Sequence, residues 1–171
     1  MWPISPSPAG AGTAGISEDM EEVVRSFEEL SREELYDILR LRSAVFVVEQ
    51  NCVYQDPDGR DTEAFHIFLR DREGIQAYLR LLPAGSMGPE PVIGRVIAVE
   101  RRKGFGSRVL HLGIRTARER MGAGTIRVEA QSYAVSFYER AGFVPVSEEY
   151  LLDGIPHVEM RLTLRPTVSL T

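Results

Sequence analysis

Two stretches of the chain carry residue types that could do chemistry together. The first is VIGRVIAVERRKGFGSRVL, residues 92–110, in which an apolar run turns abruptly into Arg101, Arg102, Lys103, Gly104, Phe105, Gly106 and Ser107. A helix that starts at such a turn has amides without intrahelical partners and the positive end of its dipole there. Glycines let a phosphate approach the backbone, and the basic side chains add charge, so the turn has the makings of an anion site. It is not a Walker A loop, and Val109 stands where a dinucleotide fingerprint needs its third glycine. It reads R-x-x-G-x-G through Arg101, Gly104 and Gly106. Alone, the turn could equally be a tight basic surface connection. The second stretch is AQSYAVSFYERAGF, residues 130–143. Its Tyr138 offers a phenol, which in a dry site can donate a hydrogen bond or a proton. The alternative for Tyr138 is a packed aromatic on a short amphipathic helix.

The segments around these stretches read as alternating helices and strands. Ser31 and Glu34 form a capping box that opens a helix of about four turns, with Leu35, Ile38, Leu39, Val45 and Phe46 at helical spacing. AFHIFLR and IQAYLRLLP read as a hairpin, and VIGRVIAV as a buried strand with a possible bulge at Gly94. A helical pattern runs from Phe105 to Met121 and stops at Gly122. TIRVEAQ is a strand, SYAVSFYERAG a short helix, and the rest a final hairpin. The order α, β-β, β-α-β-α, β-β predicts an α/β (α+β) protein with one mixed sheet and no repeats.

Composition sets the outer bounds. A chain of 171 residues, 43% hydrophobic and 26% charged, is expected to be one domain with a real core. The reading places a flexible tail at 1–25, the domain at 26–165 and a short tail at 166–171. The net charge of −5 argues against nucleic-acid binding, and no run is apolar enough to span a membrane. Cys52 is the only cysteine and no targeting segment is visible, which predicts a cytoplasmic location. Three scattered histidines, without metal-ligand spacing, predict no metal site. DPDGRDTE fails as a calcium loop, because its sixth position is Asp61 rather than glycine, so Asp56, Asp58 and Asp61 are read as a solvated turn, the lesser alternative being that they attract a cationic amine.

The two chemical stretches resemble the GCN5-related N-acetyltransferase (GNAT) superfamily. The glycine turn is similar to its pyrophosphate loop, [Q/R]-x-x-G-x-[G/A]. Ala134, Phe137, Tyr138, Gly142 and Phe143 match its N-x-x-A-x-x-F-Y-x-x-x-G-F pattern, with Gln131 in place of the asparagine. LYDILRLRSAVFVVEQNCVYQDPDGRDTEAFHIF and DGIPHVEM further resemble the ElaA-like branch, so the likeness covers about residues 30–162. The resemblance implies a mostly antiparallel twisted sheet flanked by helices, with splayed parallel central strands. It implies acetyl coenzyme A as the acetyl donor and an amine of a small molecule or peptide as the acceptor. Arg101, Arg102, Lys103, Gly104, Phe105, Gly106 and Ser107 would hold pyrophosphate, Ile97, Ala98 and Val99 the pantetheine arm, and Gln131 and Tyr138 the thioester end. The junction Val99–Glu100–Arg101 is about two residues shorter than the family's usual form.

Tyr138 would be the acid, and Glu129, Glu100 and His157 are candidates for the base. Arg42, Glu49, Gln50 and Tyr54 would line or support the acceptor side. A non-catalytic acyl-coenzyme sensor on the same fold is the rival reading. Monomer and homodimer are both open.

Overall fold

The computed structural model describes residues 19–101 and 103–166. One sheet of eight strands organises them: β1 (Glu21–Ser26), β2 (Phe65–Asp71), β3 (Gly74–Leu82), β4 (Val92–Ala98), β5 (Thr125–Gln131), β6 (Val144–Pro145), β7 (Tyr150–Leu152) and β8 (Ile155–Thr163). The order across the sheet is β1-β2-β3-β4-β5-β8-β6, with β7 also on β8. Every pairing is antiparallel except β4 with β5. This is the mixed sheet expected from the sequence, extended by β1. The expected tail boundary at residue 25 is therefore corrected, because Glu21–Ser26 pairs with Phe65–Arg70. The rest of the N-terminal tail (1–18) and residues 167–171 lie outside the described residues.

Helix α1 (Arg32–Arg42) begins at the capping box: the Glu34 amide donates to Ser31 Oγ, and the Ser31 amide to Glu34 Oε2, each at 3.0 Å. It runs without a break into a π-helical segment, Ser43–Glu49. Helix α2 (Phe105–Met121) buries Val109, Leu110, Leu112, Ile114 and Ala117 at helical spacing. Gly113 allows its close approach to β3, since a Cβ there would lie 2.8 Å from Leu79 Cδ2. Helix α3 (Val135–Arg140) follows β5.

The two faces of the sheet carry different elements. Ile67, Leu69, Leu79, Ile93, Ile126, Val128 and Ala130 pack with α2 and α3 in the main core. Phe68, Tyr78 and Ile97 pack with Ile38 of α1 and with Val45 and Phe46 of the π-helical segment on the other face. Among the described residues no helix is long and apolar enough to cross a membrane.

The feature that makes a site is the early divergence of β4 from β5. Only Val92–Arg127 and Ile93–Val128 pair; beyond them the parallel strands separate. A bulge in β4 lies at the same place: Arg80 of β3 faces Gly94 and Tyr78 faces Ile97, so two steps of β3 match three of β4. The bulge was expected at Gly94, but its left-handed residue is Arg95, with φ 53°.

Candidate active site

The gap between β4 and β5 opens into a cleft of about 1290 Å³. Ile97, Ala98, Val99, Arg101, Gly106, Gln131 and Tyr138 all line it, and so do Glu49, Gln50, Tyr54, Glu129 and His157. Both chemical stretches, about thirty residues apart in sequence, therefore meet at one opening. Lys103, Gly104, Phe105 and Ser107 belong to the adjoining turn and first helical residues rather than to the cleft wall. Arg102 lies outside the described residues.

The turn is built to leave amides free. Gly104 is the N-cap of α2, in the left-handed conformation (φ 77°), and no side chain caps the helix. The first amides of a 17-residue helix are thus without a side-chain acceptor at its positive end. Phe105 is partly buried and packs against the main core. Gly106 sits between the end of β4 and α3, with a hypothetical Cβ 3.5 Å from both Ala98 Cβ and Phe137 Cε2. Six residues, 99–104, connect β4 to α2. Lys103 is ion-paired with Glu100 beside this turn.

The β4 backbone faces the cleft in a defined way. The Val99 amide donates to Gln76 O at 2.9 Å, and Ile97 is paired with Tyr78. Ala98 lies between them at a position that makes no ladder bond to β3, so its N–H and C=O turn toward the opening.

Tyr138 reaches the cleft from α3, with only 8% of its surface exposed. Its ring packs edge-on against Phe137 and Phe143, with centroids at 5.1 and 5.8 Å. Burial pushes its pKa well above that of a free phenol, so the hydroxyl keeps its proton at neutral pH. Its hydroxyl has no hydrogen-bond partner among the described residues. Gln131, at the end of β5, donates from Nε2 to Gln50 Oε1 at 3.1 Å, which ties β5 to the end of the π-helical segment.

The three base candidates separate. Side chains of Glu129 and Gln131 fall on the face of β5 opposite its core residues Val128 and Ala130, and His157 is the cross-strand partner of Gln131. His157 Nδ1 lies 2.7 Å from Ile155 O; a carbonyl only accepts, so Nδ1–H donates, and in the neutral ring Nε2 is the nitrogen that can accept. Glu129 lies 3.4 Å from Arg127 Nη1. Glu100 does not line the cleft; it is half exposed and bound to Lys103. The candidacy of Glu100 as a base is corrected on that geometry. His66 is fully buried, donating from Nε2 to Asp61 O and accepting from the Tyr78 hydroxyl, both at 2.8 Å; burial lowers its pKa and keeps it neutral.

The expectation of a solvated aspartate turn is overturned, and of the two roles open to Arg42, lining or supporting, the first is excluded. Asp56 and Asp61 are buried rather than solvated, and Arg42, completely inaccessible, holds both: Nε donates to Asp56 Oδ2 at 2.8 Å and Nη1 to Asp61 Oδ1 at 2.6 Å. Arg80 forks onto Asp58 at 2.7 and 2.9 Å and reaches Asp61 at 3.0 Å. Arg95 donates to Asp56 Oδ1 at 2.7 Å, and its guanidinium lies 5.7 Å from the Tyr54 ring centroid. Arg42 therefore cannot touch an acceptor; it anchors the 56–61 loop from beneath. Burial alone would raise the pKa of Asp61, but the Arg42 hydrogen bond and the charges of Arg42 and Arg80 outweigh it and hold the carboxyl below its usual range. Burial and the Asp56 carboxylate push the Tyr54 phenol up to about 12.

Sequence reasoning missed this cluster of three arginines and three aspartates. A signal did exist: Arg80 and Arg95 interrupt two otherwise apolar strands, and a buried charge demands a buried partner.

Known proteins share this fold and family. Residues 95–164 match the model of the acetyltransferase (GNAT) domain. A UPF0039 protein of Schizosaccharomyces pombe is 40% identical over 85% of this chain and 99% of its own length. Protein ElaA of Escherichia coli is 40% identical over 77% of this chain and 89% of its own length. The crystal structure of Escherichia coli ElaA superposes with a TM-score of 0.78 at 38% identity, covering 83% of this chain and 98% of that one. An acyl-CoA N-acyltransferase from Pseudomonas aeruginosa superposes with a TM-score of 0.77 at 35% identity, covering 82% and 98%.

Proposed function

The chain belongs to the ElaA-like GNAT acetyltransferases, and on that premise we propose that it moves the acetyl group of acetyl coenzyme A to a primary amine by direct attack on the thioester. The observation that carries the reading is the convergence of a glycine-initiated helix start, an unpaired strand edge and a buried protonated tyrosine on one cleft.

The uncapped amides at the start of α2, with Arg101 beside them, are the groups for the coenzyme's pyrophosphate. The free edge of β4 beyond Ile93 offers backbone donors and acceptors to an extended pantetheine arm. The Ala98 amide is the donor for the thioester oxygen as negative charge develops on it. An amine nitrogen forms the new C–N bond at the carbonyl carbon while the C–S bond breaks. Tyr138 supplies the proton to the departing sulfur. The amine gives up a proton to His157 Nε2 or Glu129, directly or through water; both line the face from which it approaches. Glu49, Gln50 and Tyr54 then belong to the acceptor wall. The lone thiol, Cys52, fits a cytoplasmic setting.

The test is calorimetric titration of acetyl coenzyme A against ATP, followed by Tyr138→Phe in an assay of free thiol release. The variant is expected to bind acetyl coenzyme A normally and transfer about 10²–10⁴-fold more slowly. An unchanged rate removes Tyr138 as the acid, and absence of acetyl coenzyme A binding removes the reading as a whole. Binding without thiol release to any amine would leave the sensor on the same fold.

A further inference from the structure

The exposed large apolar side chains are not scattered evenly. Val48, Tyr133 and Leu152 line the cleft, and exposed Val53 and Leu151 are chain neighbours of the cleft residues Cys52, Tyr54 and Leu152. Val53 is fully exposed, while Val48, Tyr133 and Leu151 are 70%, 70% and 71% exposed. They come from three separate segments that contact one another: Cys52 Sγ lies 3.6 Å from Asp153 O, and Gln131 is bonded to Gln50. Apolar groups collected in this way around an opening indicate contact with an apolar ligand more than incidental exposure does.

The position of this rim identifies the ligand. Helices α2 and α3 cover one face of the sheet, and the glycine turn at the start of α2 opens on that side. The π-helical segment and the loop after it lie on the other face. A ligand entering past Val48 and Leu152 thus reaches the divergence of β4 and β5 from the side opposite the anion turn. Two carboxylates at that mouth, Glu49 and Asp153, make no ion pair among the described residues. By contrast, Asp58 is held by Arg80. Free negative charge beside apolar surface complements an ammonium group on an apolar body.

Resting on the acetyltransferase reading, we infer that the acceptor is a primary amine carried on an apolar body, which the rim formed by Val48, Tyr133 and Leu152 holds while Glu49 and Asp153 attract its ammonium group. The rim sets specificity and takes no part in proton transfer.

The experiment compares 2-phenylethylamine, n-hexylamine and phenylalanyl-glycinamide with ethanolamine and spermidine, using acetyl coenzyme A and release of free thiol. The apolar amines are expected to have kcat/KM values at least about tenfold higher, the phenylalanyl arm showing whether a peptide amine shares the site. The double variant Val48→Ser/Leu152→Ser alters two exposed side chains of the rim. It should raise KM for 2-phenylethylamine about tenfold and leave kcat and the calorimetric affinity for acetyl coenzyme A unchanged. Ethanolamine or spermidine used as well as the apolar amines overturns the inference, as does an unchanged KM in the variant. So does light scattering that shows a dimer which this variant dissociates, because the rim would then cover a second copy. If acetyl coenzyme A binds but no amine is turned over, the inference also falls. Failure of acetyl coenzyme A to bind sinks the acetyltransferase reading itself, so the two failures are distinguishable.

Discussion

Replacing Asp61 by asparagine tests whether the buried arginine–aspartate cluster anchors the 56–61 loop. Asp61 Oδ1 accepts from Arg42 Nη1 at 2.6 Å and from Arg80 Nη1 at 3.0 Å, and neither arginine has meaningful access to water. The amide keeps the size of the carboxylate but removes the charge, leaving three guanidinium groups against two carboxylates. Removing one partner of a buried ion pair costs about 3–5 kcal/mol, because the remaining charge stays desolvated. At about 2–4 °C per kcal/mol for a chain of this size, melting should fall by about 6–20 °C. Urea denaturation followed by circular dichroism measures the loss, and Asp61→Asn combined with Arg42→Met should recover part of it.

The same cluster fixes the sign of the acid dependence. The folded-state pKa of Asp61 is depressed below its unfolded value, so its stabilisation is present above the unfolded value of about 3.9 and is lost as pH falls through the folded one. The gap between wild type and Asp61→Asn must therefore be widest near neutrality and close in acid. A variant within about 1 kcal/mol of wild type at pH 7, or a gap that widens in acid, would refute the assignment of Asp61 as the shared counter-ion.

Arg95→Gly keeps the left-handed backbone at φ 53° but deletes the fork onto Asp56; acetyl transfer should drop about tenfold or more as the bulge shifts, with far-UV circular dichroism unchanged. Gly106→Val would place branches against Ala98 and Phe137, whose nearest atoms stand 3.5 Å from a Cβ; calorimetry should show weaker acetyl coenzyme A binding by about tenfold or more in a folded protein. Gly113→Val drives side-chain atoms into Leu79, already 2.8 Å from a hypothetical Cβ; denaturation should show a loss of about 1–3 kcal/mol, with transfer by the remaining folded enzyme near normal.

Local rules made much of this protein readable without coordinates. The capping box at Ser31, the buried stripe of α2, its stop at Gly122 and the final hairpin follow from spacing and turn chemistry between neighbours in the chain. The glycine turn and the tyrosine helix were legible for the same reason, since each is a short contiguous signal. Strand β1 was hidden because EEVVRS is polar at both ends and gains its place only by pairing with β2, more than forty residues later.

The site itself was decided by long-range placement. The end of β4–β5 pairing after Ile93, the left-handed turn at Arg95 and the rim that brings Val48 beside Leu152 depend on which strands are neighbours. The ion cluster shows the reason most directly. Arg42, Asp56, Asp61, Arg80 and Arg95 are separated by up to 53 positions and share no periodicity, yet burial in a low-dielectric interior makes each require the others. Sequence alone determined which residues could serve as anion turn and proton donor. The tertiary structure decided that Arg42 is buried against the 56–61 loop rather than lining the cleft, that Glu100 stands outside the cleft, and that Tyr138 reaches the cleft while almost wholly buried.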